Sequence, residues 1–498
     1  MRYLSTRNKQ ASFTGAEAIL RGLSPDGGLL VPESIPTILP STLKTLADMS
    51  YPERAGYIMS LFLDDFSRQE LTEYAREAYS EAKFDNGEAA PLRQTGEREY
   101  FLELWHGPTS AFKDIALQML PRLMSASLAK TGERRDACIL VATSGDTGKA
   151  ALEGFRDVPR VKIMVFYPRD GVSDVQKLQM TTQEGKNVGV CAVRGNFDDA
   201  QAGVKAIFAD KTIARSLENR GYFLSSANSI NWGRLVPQIA YYFSAYCDLM
   251  KSGAIKQGER INFCVPTGNF GNILAGWYAK EMGLPVNRLI CASNRNRILE
   301  YFIRTGRYSR VRKFHTTISP SMDIVVSSNL ERLLFTLSGG NDKLTGRLMK
   351  RRSKFDVAED MAQSISQTFS SGSCNDEDTR RIIKRVFKEK NYLIDTHTAV
   401  AYGVYEKYKQ ETGDNAVNVI LSTASPFKFC TSVLRANGRR NFGKNGLDAI
   451  KRLEKFSGVT APAPLKALFG KPERFNKETE KQDMPRVVAN FVGVANAE

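Results

Sequence analysis

The chain has 498 residues, of which 42% are hydrophobic and 25% are charged, and its formal net charge at pH 7 is +16. These values are typical of a soluble globular protein of two to four domains, and they exclude a disordered chain. Seven widely spaced cysteines without a C-x-x-C pair argue against a disulfide framework and against a zinc knuckle. The first residues lack the apolar core of a signal peptide, and no run reaches membrane-spanning length. We therefore expect a protein of the reducing cytoplasm, with no metal and no membrane partner.

The positive charge is concentrated in basic clusters at 347–354 and 380–390. Such clusters could bind nucleic acid, but no helix-turn-helix, zinc-finger or aromatic RNA-binding signature accompanies them. A solvated helical face is the more common origin of such a pattern. We therefore expect no nucleic-acid partner, and a general positive field would help to capture a small anionic substrate.

The predicted helices and strands follow one pattern near the N-terminus and another in the rest of the chain. Residues 1–95 contain amphipathic helical stretches around the turn at 24–28 and predict a separate N-terminal unit. From residue 137 onward, apolar β-type runs alternate with helix-type stretches, which predicts an α/β protein with mostly parallel sheets covered on both faces. The predicted strands are 137–142, 161–167, 188–193, 261–265, 289–292 and 417–421, and the predicted helices include 149–155, 235–246 and 273–282.

Lys113 is the candidate nucleophile. Small and apolar residues and Pro108 precede it, and a helical pattern of apolar residues follows it. A lysine in the first turn of a helix lies in the positive field of the aligned peptide dipoles, which favours the neutral amine, and partial burial acts in the same direction. A neutral amine can attack a carbonyl to form a Schiff base. The alternative is an ordinary surface lysine near a helix start.

Two glycine-containing loops lie at predicted strand ends, at 143–148 and 266–272. Ligands of parallel α/β sheets bind beyond the carboxyl ends of the strands, and Gly268 and Gly271 would let backbone N–H groups approach an anion. Thr143 and Ala150 exclude a Walker A loop, and Pro266 excludes a dinucleotide fingerprint. The alternative for each loop is a tight strand-to-helix turn.

Two further polar segments complete the candidate site. The segment 225–234 places Asn228, Ser229 and Arg234 before an apolar helix, where the guanidinium could bind a phosphate or carboxylate with two hydrogen bonds. The alternative is a helix start capped by Ser or Asn. The segment 421–428 follows a β-type run and presents the Ser422 and Thr423 hydroxyl groups at a strand end.

Taken together, these segments resemble the threonine synthase family of pyridoxal-phosphate enzymes, which has the tryptophan-synthase-β-like fold (fold type II). The resemblance rests on GLSPDGGLLVP at 22–32, followed in the family's order by HGPTSAFKD, ATSGDTG, SANSINWGR, PTGNFGN and STASPFKF, and it extends from residue 2 to about 435. It implies two doubly wound, mostly parallel sheet domains together with the N-terminal helical unit. It also implies pyridoxal 5'-phosphate as the cofactor.

The resemblance assigns a role to each candidate residue. Lys113 would hold the cofactor as a Schiff base, and Thr423 would hydrogen-bond the pyridine nitrogen. The cofactor phosphate would be cradled by Gly268, Asn269, Phe270, Gly271 and Asn272. The substrate-binding residues would be Ser144, Asp146 and Thr147 for the α-carboxylate, and Asn228, Ser229 and Arg234 for the phosphate. Asp146 departs from the wider fold, in which related enzymes often carry asparagine, and Ser425 stands where many relatives have histidine.

With the resemblance, the chain divides into five predicted segments. These are the N-terminal unit 1–95, the start of the cofactor-binding region at 96–136, a smaller α/β domain at 137–225, a larger cofactor-binding α/β domain at 226–435, and a C-terminal extension at 436–498. Within the larger domain, the charged residues 340–390 predict a helical surface insertion.

The implied reaction converts O-phospho-L-homoserine and water to L-threonine and phosphate, in a monomer or homodimer. One alternative is a lyase of the same family that gives 2-oxobutyrate, ammonia and phosphate from the same loops. A second alternative, of another class, is a catalytically silent protein that binds nucleic acid through its positive charge.

Overall fold

The protein is described by a computed structural model that covers residues 1–351 and 353–493. The strands, in chain order, are β1 (Tyr3–Ser5), β2 (Asn8–Phe13), β3 (Leu30–Pro32), β4 (Leu92–Gly96), β5 (Glu99–Glu103), β6 (Asp136–Ala142), β7 (Val161–Pro168), β8 (Val188–Val193), β9 (Tyr222–Ser225), β10 (Ile261–Pro266), β11 (Val286–Ser293), β12 (Arg307–Ser309), β13 (Lys354–Asp356), β14 (Phe369–Ser373), β15 (Asn418–Ser422) and β16 (Glu478–Thr479). Each strand predicted from the apolar runs is present, with ends that differ by a few residues at most.

The helices, in chain order, are α1 (Gly15–Arg21), α2 (Pro40–Asp48), α3 (Tyr51–Ser60), α4 (Arg68–Ala78), α5 (Lys113–Lys130), α6 (Asp146–Phe155), α7 (Asp174–Thr181), α8 (Phe197–Ala209), α9 (Lys211–Glu218), α10 (Trp232–Lys251), α11 (Gly271–Glu281), α12 (Ile298–Thr305), α13 (Leu330–Leu337), α14 (Asp342–Lys350), α15 (Glu359–Thr368), α16 (Asp376–Lys390), α17 (Thr396–Thr412), α18 (Cys430–Ala436), α19 (Gly446–Ser457), α20 (Ala463–Lys466) and α21 (Met484–Val492). Short 3-10 turns occupy Asp85–Gly87, Pro320–Met322, Pro426–Phe429 and Lys481–Asp483. In the described part of the chain, no helix combines the length and the apolar character needed to cross a membrane.

Two sheets with mainly parallel strands form the framework. The smaller sheet has the order β16-β8-β7-β6-β9 and is parallel throughout. The larger sheet has the order β14-β11-β10-β15-β5-β4, in which only β4 runs antiparallel to its neighbour. The central strands β10 and β15 are buried along their whole length and β6 from Ala137 onward, as expected for strands covered by helices on both faces. The predicted fold class is therefore confirmed.

The N-terminal region is less purely helical than its sequence predicts. β1, β2 and β3 form a small antiparallel sheet beside α1 to α4, and β4, which crosses the predicted boundary at residue 95, belongs to the larger sheet. The strands β1 and β3 have only three residues each, which is too short for a period-2 pattern to stand out from the helical pattern around it.

Residues 340–390 contain three helices, α14, α15 and α16, but the segment is not helical throughout. β14 lies within this segment and pairs in parallel register with β11 as an edge strand of the larger sheet, from Leu289 opposite Phe369 to Ser293 opposite Ser373. β14 has the sequence FSSGS, and only Phe369 in it is buried, so no apolar alternation marks it as a strand. Arg352, in the first basic cluster, lies outside the described residues.

The C-terminal extension is divided between the two domains. α19 packs on α18 and α7, whereas β16 adds an edge strand to the smaller sheet and α21 packs on α8 and α9. The last residues of the predicted segment, 494–498, lie outside the described residues. The end of the described chain therefore returns to the smaller sheet.

A close contact between α5 and α6 places the lysine-bearing helix against the smaller sheet. Pro121 has no N–H group and therefore leaves the Leu117 carbonyl of α5 without its helical partner. Gly154 of α6 lies directly over that carbonyl, because a Cβ atom at this position would be 1.9 Å from the Leu117 oxygen. Only glycine allows this distance between the two helices.

We therefore predict opposite effects for two glycine substitutions in helices. Gly154→Ala should lower the free energy of unfolding by about 1–3 kcal/mol, because the new methyl group forces α5 and α6 apart. Gly346→Ala should raise it by about 0.5–1 kcal/mol, because a Cβ atom at that position of α14 has no heavy atom within 4 Å and alanine is the better helix former. Denaturant unfolding of both variants measures the difference. Equal effects of the two substitutions would show that the predicted α5–α6 clash is absent.

Candidate active site

All the residues to which the resemblance assigns a role line one cleft between the two sheets, whereas the Ser422 hydroxyl is not part of its lining and accepts a hydrogen bond from Trp105 Nε1 at 3.0 Å. The cleft is formed by the start of α5, the β6–α6 loop, the start of α10, the β10–α11 loop and the end of β15. The selected residues found there are Lys113, Ser144, Asp146, Thr147, Asn228, Ser229, Arg234, Gly268, Asn269, Phe270, Gly271, Asn272 and Thr423. Segments that are far apart in the chain therefore meet in one place.

The loop before Lys113 is fixed to the loop after β15. The Phe112 N–H donates to the Thr423 carbonyl at 2.9 Å, the Ser425 N–H donates to the Ser110 carbonyl at 3.0 Å, and Ala111 bridges Ala424. Ser110 has a φ of 58°, a left-handed conformation that is uncommon for a residue with a side chain. The positions of Lys113 and Thr423 are therefore coupled through the backbone.

Lys113 is the first residue of α5, and its side chain is almost completely buried. Its Nζ lies 3.6 Å from Asp146 Oδ2 and 4.8 Å from the centroid of the Phe112 ring. Burial lowers the pKa of Lys113, the Asp146 carboxylate opposes that shift, and the positive charges of Arg234 and Lys428 add to it. The site thus favours the neutral amine, in the direction that the sequence predicts.

Asp146 begins α6 and is an ionised carboxylate in a buried position. Its Oδ1 is 2.9 Å from Lys428 Nζ and accepts a hydrogen bond from Gln176 Nε2 at 2.8 Å. Burial alone would raise the pKa of Asp146, but Lys428, Lys113 and His397 stabilise its charge and hold the pKa well below the usual range. The carboxylate therefore acts as the counter-charge for the lysines.

The loop from β10 into α11 forms a cradle of backbone N–H groups. Phe270 has a φ of 63°, and α11 begins directly after it, so the first N–H groups of the helix have no helical partner. The carbonyl groups of the loop are occupied instead: Asn329 Nδ2 donates to Asn269 O at 3.0 Å and Ser327 Oγ donates to Gly268 O at 3.2 Å. An N–H cradle at a helix start is a ready binding site for an anion.

Gly268 is required by the packing of this cradle. A Cβ atom at position 268 would lie 2.5 Å from the carbonyl oxygen of Ser321, on the turn that forms the opposite wall of the cleft. Any side chain here would therefore displace that turn or the cradle.

Arg234 is a buried cation without an acidic partner in the described part of the chain. Its side chain is 3% exposed, Nη1 donates to the Ala227 carbonyl at 2.5 Å, and Nε has no hydrogen-bond partner. Burial lowers its pKa to about 10. Nearby, Asn228 Oδ1 and Asn272 Nδ2 are also buried without partners. Because unsatisfied buried donors are costly, Arg234 Nε and Asn272 Nδ2 are suited to a bound anion, whereas Asn228 Oδ1 is an acceptor and needs a donor.

The segment 225–234 also contains a helix cap, but the capping residue is not one of the three candidate phosphate ligands. Asn231 is the N-cap of α10 and its Oδ1 accepts the Gly233 N–H at 2.9 Å. Capping therefore explains Asn231, whereas Arg234 points into the protein and not to solvent.

Sequence reasoning did not select several residues of the cleft wall. His397 Nδ1 lies 2.7 Å from Asp395 Oδ2, and its Nε2 accepts the Ser321 N–H at 3.2 Å, which assigns the ring proton to Nδ1. Asp323 and the turn at Pro320–Met322 line the same cleft. Only the N-cap pattern of Asp395 before α17 could have drawn attention to His397. No cluster of potential metal ligands occurs among the described residues.

Family profiles match almost the whole chain. The profile described as "Threonine synthase N terminus" matches residues 2–79, "Pyridoxal-phosphate dependent enzyme" matches 88–423, and "Threonine synthase, C-terminal" matches 398–491. The match thus continues beyond residue 435, where the resemblance based on motifs ends.

Individual relatives agree with these profiles. Threonine synthase of Pseudomonas aeruginosa is 42% identical over 88% of this chain and 90% of its own length. Human threonine synthase-like 1 is 39% identical over 84% of this chain, which spans only 58% of that longer protein. Among solved structures, PLP-bound threonine synthase from Brucella melitensis superposes with a TM-score of 0.86 and 36% identity over 99% of both chains. Yeast threonine synthase gives a TM-score of 0.85 and 34% identity, over 99% of this chain and 98% of its own.

The carboxyl group next to Lys113 yields a prediction about pH. Asp114 is fully buried and accepts hydrogen bonds from the Thr109 N–H at 2.9 Å and Thr109 Oγ1 at 2.6 Å. Burial raises its pKa to about 6, against the effect of these hydrogen bonds. The Asp114 carboxyl therefore binds its proton more tightly in the folded state than in the unfolded state. Its contribution to the free energy of unfolding is fully present below about pH 4 and is lost as the pH rises through about 6.

Asp114→Asn should therefore remove this loss, so that the slope of the unfolding free energy against pH becomes more positive between about pH 4 and 6 than in the wild type. The measurement is denaturant unfolding at several pH values, and Asp170→Asn serves as the control because its side chain is 82% exposed. An unchanged slope for Asp114→Asn would contradict the raised pKa.

Proposed function

Since this chain belongs to the threonine synthase family of pyridoxal-phosphate-dependent enzymes, we propose that it converts O-phospho-L-homoserine and water to L-threonine and phosphate. The observation that carries the proposal is the combination, in a single cleft, of a buried lysine whose pKa is lowered, the N–H cradle at 268–272 and the buried guanidinium of Arg234. A substrate with a carboxylate and a phosphate, together with a phosphorylated cofactor, presents three anionic groups to such a cleft.

The residues of the cleft fit the cofactor. The cradle at 268–272 offers unpaired helix-start N–H groups for its phosphate, and Gly268 leaves no space for a side chain against Ser321. Lys113 offers the amine that would hold its carbonyl carbon, and Thr423 offers a hydroxyl for its ring nitrogen. When bound, the cofactor supplies an electron sink for negative charge that develops at the substrate carbons.

We assign the proton transfers to Lys113. As a neutral amine it can take the proton from Cα of the substrate and, once it has passed that proton on and is neutral again, the proton from Cβ. Phosphate leaves from Cγ, which then receives one proton from Lys113 and becomes the methyl group. The hydroxyl group of water adds at Cβ while its proton goes to the released phosphate, and Lys113 returns the second proton to Cα. Asp146 lies beside Lys113 Nζ and stabilises the ammonium group during the part of the cycle in which the lysine is charged.

We assign the two ends of the substrate to two anion sites. Ser144 lies in the β6–α6 loop, and Asp146 and Thr147 are the first two residues of α6. The backbone of these residues would hold the α-carboxylate, while Asn228, Ser229 and Arg234 would hold the phosphate. Fixing both ends orients the Cα–H and Cγ–O bonds, and such positioning accounts for a large part of the rate in enzymes of this kind.

We also propose a cellular compartment, a role for the net charge and an assembly state. All seven cysteines are free and buried, which supports a reducing compartment such as the cytoplasm. The positive charge of the chain would steer the anionic substrate rather than bind nucleic acid, and we propose that the enzyme acts as a monomer or homodimer.

Product analysis tests the proposal directly. With O-phospho-L-homoserine, the purified protein should release L-threonine and phosphate in equal amounts. Borohydride reduction should attach the cofactor permanently to Lys113, as shown by peptide mapping. Lys113→Ala should lose turnover and still bind the cofactor, because the phosphate cradle is separate from the lysine. Formation of 2-oxobutyrate and ammonia instead of threonine would identify a lyase of the same family.

A second prediction concerns the buried arginine. Arg234→Ala should lower kcat/KM by the equivalent of roughly 2–5 kcal/mol, because a buried charged contact with the substrate phosphate is lost. Arg234→Lys should recover only part of this, since an ammonium group lacks the two-pronged geometry of a guanidinium. Both variants should keep the visible spectrum of the bound cofactor.

Arg54→Lys is the matched control for Arg234. Arg54 is equally buried but pairs with Asp248 at 2.6 Å, away from the cleft, so its substitution should lower stability and leave kcat/KM unchanged. Wild-type kinetics in both Arg234 variants, or loss of the cofactor from them, would refute the substrate-phosphate role.

A further inference from the structure

A second buried lysine, Lys428, lies behind the cleft and has no part in the reaction proposed above. Its side chain is 0% exposed. Its Nζ is 2.9 Å from Asp146 Oδ1 and donates to the Thr109 carbonyl at 2.8 Å. A charged lysine is rarely buried without a specific partner, so its position calls for a reason within the site.

Asp146 is shared unequally between Lys428 and Lys113. The contact with Lys428 has the length of a charge-assisted hydrogen bond, whereas Lys113 Nζ is 3.6 Å from Oδ2 and borders the Phe112 ring. The single negative charge therefore compensates Lys428 first. Lys113 is left as the amine with the weaker counter-charge.

The other charged groups around Lys113 and Asp146 do not replace the counter-charge that Lys113 shares with Lys428. Arg234 faces the pair from α10 and lowers the pKa of Lys113, as Lys428 does. His397 on α17 interacts with Asp146, and Asp323 lines the cleft from the turn after Pro320. Asp114, next to Lys113 on α5, is fully buried and has its pKa raised to about 6 by that burial.

We propose that Lys428 is a positioning residue, which pairs with the Asp146 carboxylate and thereby leaves Lys113 as the neutral amine of the site. The proposal deepens the function proposed above and rests on it for the role of Lys113. Without Lys428, Asp146 would pair fully with Lys113 and hold it as an ammonium ion. A purely structural lysine would have no such effect on a neighbouring amine.

The test measures the reactivity of Lys113 itself. Competitive acetylation of the full-length, cofactor-free protein at a series of pH values, followed by quantification of the Lys113 peptide, gives the pH midpoint of its reactivity. In Lys428→Met this midpoint should move to higher pH by about one unit, which slows acetylation of Lys113 about tenfold below the midpoint. In Lys428→Met/Asp146→Asn the midpoint should return to the wild-type value or below it. Lys428→Arg, which keeps the charge, should stay close to wild type.

Lys149→Met is the matched control. Lys149 is another buried lysine, paired with Glu153 at 3.0 Å and with Gln183 outside the cleft, so its removal should leave the midpoint unchanged. An unchanged midpoint in Lys428→Met, or a shift that Asp146→Asn does not reverse, overturns the proposal.

Two further measurements separate the possible failures. If Lys428→Met does not fold, Lys428→Gln replaces it: its midpoint must move to higher pH, and an unchanged midpoint overturns the proposal. Because acetylation does not depend on turnover, absence of threonine formation would count against the proposed function and not against the charge pairing.

Discussion

The cleft depends on one buried carboxylate, that of Asp146. Burying an ammonium or guanidinium group is unfavourable unless a counter-charge or hydrogen bonds compensate it. The two oxygens of Asp146 face Lys428 and Lys113, while among the described residues Arg234 has only the Ala227 carbonyl as a hydrogen-bond partner. The site is thus built with a surplus of positive charge. That surplus is balanced when anionic groups enter, which connects the stability of the site to its ligands.

The parallel sheets explain how such a site can be assembled from distant segments. In the larger sheet, β10 and β15 are neighbours, so the loops that follow them emerge side by side with the glycine cradle and Thr423. β6 of the smaller sheet contributes the loop with Asp146 from the opposite side. The helix α5 joins both parts, because its first residue is fixed to the loop after β15 and its middle packs on α6 through Gly154. Substitutions at Gly154 or in the loop after β15, away from the reacting atoms, would therefore displace Lys113.

Much of this arrangement could be predicted from the sequence, because its signals are local. Apolar runs mark the central strands, and glycine-rich turns after them mark the loops. β14 could not be predicted, since an edge strand with one buried residue carries no alternating pattern. His397 and Lys428 were also not selected. Their importance comes from partners in other parts of the chain, namely Ser321 and Asp146, and no spacing within their own segments reveals those contacts.

The way in which charge is distributed also explains why two lysines are present where one would suffice for the chemistry. A lone buried lysine beside a carboxylate forms a salt bridge, and a salt-bridged lysine is a poor nucleophile and a poor base at neutral pH. Replacing the carboxylate by a neutral group would free the lysine but would leave its ammonium form without support later in the cycle. Dividing one carboxylate between two amines at unequal distances avoids both problems. Lys428 takes the strong contact, and Lys113 keeps a weaker one: it rests as the neutral amine and still has a carboxylate nearby while it carries a proton, as a group that must both accept and return protons requires.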